Sequence, residues 1–419
     1  MASTLQSVEQ VCAAARRAGR SLAQLDTATK NAALAAIAQA LLDRLDEILE
    51  ANALDVDAGH AAGLSGALLD RLELSEDRVG AMVAGVREIA SLADPVGEVV
   101  EGFRRPNGLQ IRKLRVPLGV IAVVYEARPN VTIDAAALCL KSGNAIVLRG
   151  SSTASQSNAV LASIAAEAAE RAGVPRGAIG LLGGGDRSEL AELATQDELV
   201  DLIIPRGGEG LKAALSAVAT VPVIYAASGN CHVYVEQSAD LDQAEAILLN
   251  AKTQRPGVCN AAETLLVDAA LAPDFIPRAV GALRAAGVEV RGDERVCALA
   301  PEAVPASDAD WDCEFLSLTI AACVVDGVEQ AIEHINAHGS GHSEAIVTRD
   351  TGAARSFELG VDAACVYVNA STRFTDGGEF GMGAEIGNST QKLHARGPIG
   401  MRELCAFKYI VEGDGHVRP

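Results

Sequence analysis

The sequence predicts an α/β protein with two domains, each built on a parallel β-sheet that is covered by helices. From Gly119 onward, short apolar runs alternate with helical stretches, as in parallel strands joined by helical crossovers. The alternation starts again near Ser228, and 419 residues are enough for two or three domains. Right-handed crossovers would place the loops that follow the strands along one edge of each sheet, where ligands usually bind.

The segment before Pro95 is predicted to be helical. Ala and Leu recur at three- and four-residue spacings over residues 8–25 and again over residues 31–54, with Asp and Arg on the opposite faces. Asp26-Thr27 is a helix-start signal for the second of these helices.

Residues 99–117 are predicted to form a β-hairpin. The segment alternates, and it carries the turn signal Pro106-Asn107-Gly108 between two extended arms. Its charge is locally positive, from Arg104, Arg105, Arg112, Lys113 and Arg115. The hairpin is either a surface feature or an arm that pairs with a neighbouring subunit.

Two series of elements follow. In the first, strands are predicted at 119–125, 145–148, 179–182, 200–204 and 221–225, and helices at 133–141, 155–172, 189–195 and 211–218. In the second, strands are predicted at 233–236, 264–267, 289–291, 320–325, 345–347 and 364–368, and helices at 240–251, 272–286, 327–336 and 351–359. A Gly-rich tail from Thr372 leads to a late strand at 404–411.

The composition argues against several classes of partner. Asp and Glu total 55 against 35 Lys and Arg, and the net charge of −20 argues against a nucleic-acid or anionic-membrane surface. There is no secretory signal and no uncharged apolar run of the ~20 residues that a membrane helix needs, so a cytoplasmic location is expected. Nine scattered cysteines without a C-x-x-C pair favour reduced thiols over disulfides or zinc.

Cys259 is the strongest candidate for chemistry. It follows the Pro256-Gly257 break and precedes a predicted strand. A thiol at such a loop apex, near Arg255 and backbone N–H groups, can be held as a thiolate nucleophile. The alternative is a buried small apolar side chain, as most free cysteines are.

Two Gly-rich loops follow strands of the first domain, Gly183-Gly184-Gly185-Asp186 and Pro205-Arg206-Gly207-Gly208-Glu209-Gly210. Glycine lets backbone amides approach a phosphate at a helix start. Neither loop has Gly-x-Gly-x-x-Gly or P-loop spacing, so ordinary tight turns are the alternative.

No metal site is expected. His338 and His342 flank Gly339-Ser340-Gly341, and this spacing favours a polar loop over a pair of metal ligands. Ser151 and Ser152 open a predicted helix and can simply cap it.

Several long motifs occur in order along nearly the whole chain. They are GVIAVVYEARPNVT from Gly119, KSGNA from Lys141, LRGS from Leu148, the Cys259 segment, and FGMGAEIG from Phe380. Together they resemble the γ-glutamyl phosphate reductases, a family of the aldehyde dehydrogenase superfamily. Cys259 falls where that superfamily keeps its nucleophile.

The resemblance implies an aldehyde-dehydrogenase-like fold with three parts. A Rossmann-type nucleotide-binding domain would comprise residues 1–101 and 117–227, and an α/β catalytic domain residues 228–372. The β-hairpin arm of residues 102–116 would join residues 373–419 as an oligomerisation unit, which implies a homo-oligomer.

Two departures from the general aldehyde dehydrogenase pattern bear on the reaction. Hydrolytic members carry a Glu in an E-L-G-G stretch, as base for the water that cleaves the thioester. The matching run here, YAASGN from Tyr225, has no acid, which favours acyl-phosphate chemistry. The superfamily's oxyanion Asn corresponds to Arg128 or to the nearby Asn130, and the two alternatives stay open.

The resemblance also implies a nicotinamide cofactor. NAD-preferring relatives have Lys-x-x-Glu after the strand, whereas this chain has Arg149, Ser151 and an uncharged Ser152. Because Arg149 can pair with a 2′-phosphate, NADPH/NADP+ is expected. The other residues expected to bind the cofactor are Gly184, Gly207, Gly208 and Glu314, the last as the grip on the nicotinamide ribose.

The implied activity is NADPH-dependent reduction of L-glutamyl 5-phosphate to L-glutamate 5-semialdehyde and phosphate, through a thioester on Cys259, in proline biosynthesis. Arg255 and Asn260 are candidate substrate-binding residues. Transient contact with glutamate 5-kinase is a further expectation. The rival interpretations are an aldehyde dehydrogenase that makes a free acid or an acyl-CoA, and a catalytically silent regulatory subunit.

Overall fold

The computed structural model describes residues 6–225 and 228–418. These residues divide into two units, each with a parallel sheet of its own. The first unit takes in the described residues of Met1–Ala226, Met382–Gly387 and Ile399–Pro419, and the second those of Ala227–Gly381 and Asn388–Pro398. The assignment of nucleotide-binding, catalytic and oligomerisation roles to particular ranges stays a prediction.

The helices are, in chain order, α1 (Val8–Leu22), α2 (Thr27–Asp43), α3 (Leu45–Ala61), α4 (Gly66–Leu72), α5 (Glu76–Ser91), α6 (Asn130–Lys141), α7 (Ser155–Arg171), α8 (Arg187–Ala194), α9 (Glu209–Ser216), α10 (Leu241–Thr253), α11 (Ala272–Ala285), α12 (Glu294–Leu299), α13 (Val328–His338) and α14 (Thr351–Gly360). Within the part of the chain that the structure describes, none of them combines the length and the apolarity needed to cross a membrane.

The strands are β1 (Val99–Arg104), β2 (Gln110–Pro117), β3 (Val120–Tyr125), β4 (Ala145–Arg149), β5 (Ile179–Leu181), β6 (Leu202–Arg206), β7 (Cys231–Val235), β8 (Ala262–Asp268), β9 (Glu289–Gly292), β10 (Val304–Pro305), β11 (Thr319–Val325), β12 (Ser343–Val347), β13 (Cys365–Val368), β14 (Asn388–Ser389), β15 (Gly397–Pro398) and β16 (Cys405–Glu412).

The helical start of the chain is confirmed, but the single helix predicted over residues 31–54 is wrong. The chain forms α2 and α3 instead, because Arg44 has φ −114° and ψ 27°, outside the helical region. The Arg44 guanidinium donates to Glu47 and Glu167, which holds the break in place. Asp26 caps α2 by accepting from the N–H of Thr29, as its helix-start signal predicts.

The first unit's parallel sheet has the order β5-β4-β3-β6, and every residue of β3 is buried. The strand predicted at residues 221–225 is wrong. Val223 forms only an isolated bridge with Ile203, and the neighbouring Pro222 has no N–H to extend the ladder. The loops after β4, β5 and β6, which carry Ser151, Gly184 and Gly207, follow the carboxyl ends of parallel strands, the usual ligand edge of such a sheet.

The predicted hairpin and late strand are confirmed as one antiparallel sheet of order β1-β2-β16. Gly108 in the hairpin turn has φ 101°, which suits glycine. Phe103 pairs with Ile111, and Ile111 pairs with Val411. These three apolar side chains therefore lie on one face of the sheet.

The second unit's parallel sheet has the order β10-β9-β11-β8-β7-β12-β13, and every residue of the central strands β7 and β8 is buried. Its predicted strands and helices are confirmed within a few residues at their ends. The sequence analysis missed the short α12 and β10 and the β14–β15 pair. Residues 254–261 join α10 to β8, so Cys259 lies where the central strand begins.

Candidate active site

Cys259 is partly exposed in the loop between α10 and β8. Six of the other cysteines are buried, while Cys297 and Cys313 share its partial exposure. Burial raises the pKa of both Cys297 and Cys313, with help from nearby carboxylates. The nucleophile role of Cys259 stays a prediction, and the residue is partly exposed to solvent.

Residues at and just before the start of β7 hold the backbone of Cys259 in place. The Cys231 thiol donates to the Cys259 carbonyl oxygen at 3.2 Å. Gly229 lies against the same carbonyl, so closely that a Cβ on Gly229 would overlap it. The Gly229 N–H donates to Glu314 Oε1 at 2.6 Å. Gly229 thus connects the predicted nucleophile with the predicted nicotinamide-ribose residue.

A buried ion pair joins the two flanks of this loop, and the sequence analysis missed it. Lys252 Nζ lies 2.5 Å from Glu263 Oε2, and both side chains are fully buried. Burial lowers the pKa of Lys252 and raises the pKa of Glu263 to about 7. The available signal was a charged residue inside the otherwise apolar start of β8, because such a residue is buried only with a partner.

The two predicted substrate-binding residues differ in their surroundings. Asn260 is buried, and its Nδ2 donates to the Thr375 carbonyl at 2.9 Å. This hydrogen bond joins the Cys259 loop to the segment at Thr375 within the second unit. Arg255 is exposed. Burial and the charge of Arg255 lower the pKa of Arg373, whose Nε donates to Gln254 at 2.8 Å. Arg373, which the sequence analysis missed, makes this loop more positive.

Arg149 holds the predicted Gly-rich loop. Its Nε lies 3.1 Å from Glu189 Oε1, and its guanidinium donates to the carbonyls of Gly185 at 2.8 Å and Asp186 at 2.9 Å. Glu189 also accepts from the Gly185 N–H at 2.9 Å. The sequence analysis missed Glu189. Its signal is the Asp186-x-x-Glu189 spacing, which is typical of a capped helix start.

A cavity of about 230 Å³ lies beside this loop, in the first unit. It is lined by Leu181, Leu182 and small or polar residues, including Gly150, Ser151 and Gly184. Gly184 has φ 67°, and a Cβ there would be 2.7 Å from the Gly150 carbonyl oxygen. Only glycine lets these two loops come this close.

The second Gly-rich loop faces a carboxylate of the chain itself. The Gly208 N–H donates to Glu126 Oε2 at 3.4 Å, and a Cβ on Gly207 would be 2.8 Å from Glu126 Cδ. The start of α9 therefore already has an anionic partner. Its predicted contact with the cofactor stays a prediction.

The two candidates for the oxyanion differ in exposure. Arg128 is exposed, whereas Asn130 begins α6 half-buried and donates from Nδ2 to Asp134 Oδ2 at 2.9 Å. Burial raises the pKa of Asp134 to about 6. Ala226, the position at which the resemblance implies that the Glu of hydrolytic relatives is missing, lies outside the described residues, as does Ala227.

The glycine-flanked histidines contact separate partners. His338 Nδ1 lies 2.8 Å from Asp312, and His342 Nδ1 lies 2.8 Å from Ser343 Oγ. Over residues 6–225 and 228–418, no group of three or more His, Cys, Asp or Glu side chains could hold a metal ion.

Known proteins match this chain over most of its length. The profile of the aldehyde dehydrogenase family matches residues 1–303. The gamma-glutamyl phosphate reductase of Moorella thermoacetica is 56% identical over 404 residues, covering 96% of this chain and 97% of that protein. The protein of the same name from Syntrophomonas wolfei is 54% identical over 404 residues, with 96% of each chain covered.

A solved structure agrees with these relatives. The gamma-glutamyl phosphate reductase of Thermotoga maritima superposes with a TM-score of 0.97 at 47% identity, covering 99% of this chain and 100% of that one. The predicted aldehyde-dehydrogenase-like fold is therefore confirmed. The chain belongs to the aldehyde dehydrogenase family and, within it, to the γ-glutamyl phosphate reductases.

Proposed function

We propose that this protein reduces L-glutamyl 5-phosphate to L-glutamate 5-semialdehyde and phosphate with NADPH, by way of a thioester on Cys259, in the second step of proline biosynthesis from glutamate. The observation that carries the proposal is the partly exposed Cys259 in a loop flanked by Arg255 and Arg373. The names of relatives at 54% and 56% identity supply the substrate.

The chemistry begins with the Cys259 sulfur. The thiolate attacks the acyl carbon, the C–S bond forms, and the bond from that carbon to the phosphate oxygen breaks. Arg255 and Arg373 favour both the thiolate and the anionic acyl phosphate by Coulomb attraction. Backbone N–H groups around Cys259, with either Arg128 or Asn130, stabilise the tetrahedral oxyanion.

The residues of the first unit fit NADPH. The cavity beside Ser151 and Gly184 is lined by small and polar residues together with Leu181 and Leu182, and Ser152 places no negative charge near a 2′-phosphate. Arg149 would bind that phosphate, and Glu314 would bind the nicotinamide ribose. When bound, NADPH supplies the hydride that reduces the thioester. Collapse of the resulting hemithioacetal then releases the aldehyde and returns the Cys259 thiolate.

The test of this function is a Cys259→Ala variant assayed with NADPH and enzymatically generated glutamyl phosphate. We expect turnover to fall by about 10³-fold or more while NADPH still binds. Cys297→Ala, a change at another partly exposed cysteine, is the control and should keep the wild-type rate. If Cys259→Ala keeps most of its activity, the nucleophile is wrongly assigned.

The reverse reaction separates this function from its enzymatic rival. An acyl-phosphate enzyme oxidises the aldehyde only when inorganic phosphate accepts the acyl group. An aldehyde dehydrogenase that forms a free acid would run without phosphate, and one that forms an acyl-CoA would require CoA instead.

We also propose that the protein is a cytoplasmic homo-oligomer that pairs through the β1-β2-β16 sheet. Along β16, Phe407, Tyr409 and Val411 are 43%, 60% and 56% exposed, and they lie on one face. Lys113 and Arg115 pack against Phe407 on the same face, and an exposed patch of aromatic and apolar side chains beside polar ones is typical of an interface.

Direct hand-over of the labile acyl phosphate from glutamate 5-kinase is a further part of the proposal. If the kinase is recovered with this protein after cross-linking, the result supports the proposal. If no kinase is recovered even after cross-linking, the result contradicts it.

A further inference from the structure

The ion pair of Lys252 and Glu263 lies between the Cys259 loop and the segment that carries Glu314. Lys252 belongs to the last turn of α10 and Glu263 is the second residue of β8, so the pair connects the two ends of the loop. Lys252 bonds one oxygen of Glu263 at 2.5 Å. The other oxygen, Oε1, accepts from the Leu316 N–H at 3.2 Å.

Leu316 needs this support. Its φ is 52°, a left-handed conformation that is unfavourable for a residue with a Cβ. Two residues earlier, Glu314 accepts the Gly229 N–H, and Gly229 packs on the Cys259 carbonyl. The Glu263 carboxylate is therefore connected to both ends of the loop and to Leu316. From Leu316 the connection continues through Glu314 and Gly229 to the Cys259 carbonyl.

We propose that Lys252 and Glu263 are positioning residues that set the orientation of the Cys259 thiol and of the Glu314 carboxylate relative to each other. The proposal rests on the proposed function, since it takes Cys259 as the nucleophile. A misplacement of about 1 Å at a reacting group can lower a rate about 100-fold. Altering the ion pair that holds the loop should therefore lower the rate of the reaction.

The test compares two neutral double variants. Lys252→Met/Glu263→Gln removes both charges but keeps an oxygen that can accept from Leu316, whereas Lys252→Met/Glu263→Leu removes that acceptor too. Replacing both partners avoids leaving one charge buried alone. Lys30→Met/Asp94→Asn in the first unit is the control for loss of a buried ion pair, because Lys30 Nζ lies 2.6 Å from Asp94 with 1% and 8% of the two side chains exposed.

The readouts are kcat, the KM for NADPH, and the rate at which iodoacetamide alkylates Cys259, followed by mass spectrometry. We expect a fall of about 10-fold in kcat and in alkylation for the Gln double variant. The Leu double variant should fall about 100-fold and also show a raised KM, because Glu314 is released. Lys30→Met/Asp94→Asn should alter none of the three.

Wild-type values in either double variant, once folded, overturn the proposal. Glu263→Asp covers the case in which the doubles do not fold, because it keeps both charges and shortens the reach by one methylene. It should slow alkylation and kcat together, and an unchanged rate overturns the proposal. Alkylation reports on the thiol without substrate, so a failure here is distinguishable from activity surviving in Cys259→Ala, which would refute the proposed function instead.

Discussion

Gly229 packs its α-carbon directly on the carbonyl group of Cys259, and no side chain fits between them. The contact explains why a glycine stands at the entrance to β7. It also couples the Cys259 loop to Glu314, 85 residues after Gly229 in the sequence, since the Gly229 N–H is bonded to the Glu314 carboxylate.

Gly229→Ala should therefore displace the Cys259 loop. We expect kcat to fall about 100-fold and stability to fall by about 1–3 kcal/mol, because the added methyl group overlaps backbone rather than a flexible side chain. Steady-state kinetics and thermal unfolding measure both effects. Gly257→Ala is the matched control, because the nearest atom to its Cβ would be 3.8 Å away. Equal behaviour of the two variants would contradict this prediction.

Arg149 and Glu189 should govern cofactor preference. Arg149→Gln removes a charge-assisted bond to the 2′-phosphate, so we expect the KM for NADPH to rise about 10-fold or more with little change for NADH. Glu189→Gln weakens the competing ion pair at 3.1 Å and should shift preference further toward NADPH. Arg187→Ala, at the exposed start of the same helix, should leave the ratio of the two KM values unchanged. A preference that does not respond to Arg149→Gln would refute this assignment.

Val411→Asp should dissociate the proposed oligomer. Val411 is 56% exposed and shares a face with Ile111 and Phe103, so a carboxylate at this position would lose its hydration when the interface forms. Sedimentation velocity should show a smaller species for Val411→Asp and the wild-type species for Lys408→Ala, which lies on the same strand but on the opposite face. An unchanged sedimentation profile for Val411→Asp would exclude this face as the interface.

Acid should destabilise the fold through His342. Burial lowers its pKa to about 4, while an unfolded histidine titrates near 6.5. As the pH falls from about 6.5 to about 4, the unfolded chain binds a proton that the folded chain does not, so stability is lost over this window, by up to about 3 kcal/mol. Urea unfolding at several pH values measures the slope. His342→Gln should reduce the slope, of which His334, whose pKa burial lowers to about 3, keeps a part. His60→Gln, at an exposed position, should leave the slope unchanged.

Particular residues show how far the sequence reasoning reached. The apolar run from Gly119 and the Pro106-Asn107-Gly108 turn predicted β3 and the hairpin, because strand periodicity and turn chemistry are local properties. The break at Arg44 and the lost strand at residues 221–225 were not predicted. The first is held by Glu167, far away in sequence, and the second depends on one missing N–H at Pro222.

By itself, the sequence determined the α/β class, the order of nearly all elements, the family, and Cys259 as the residue to test. These follow from periodicity and motifs, which are properties of the linear sequence. Only the tertiary structure decided which residues hold the loop that carries that thiol. Gly229 contacts the Cys259 carbonyl and bonds Glu314, while Glu263 bonds Lys252 and Leu316, and these interactions depend on distances in space that no spacing along the chain encodes.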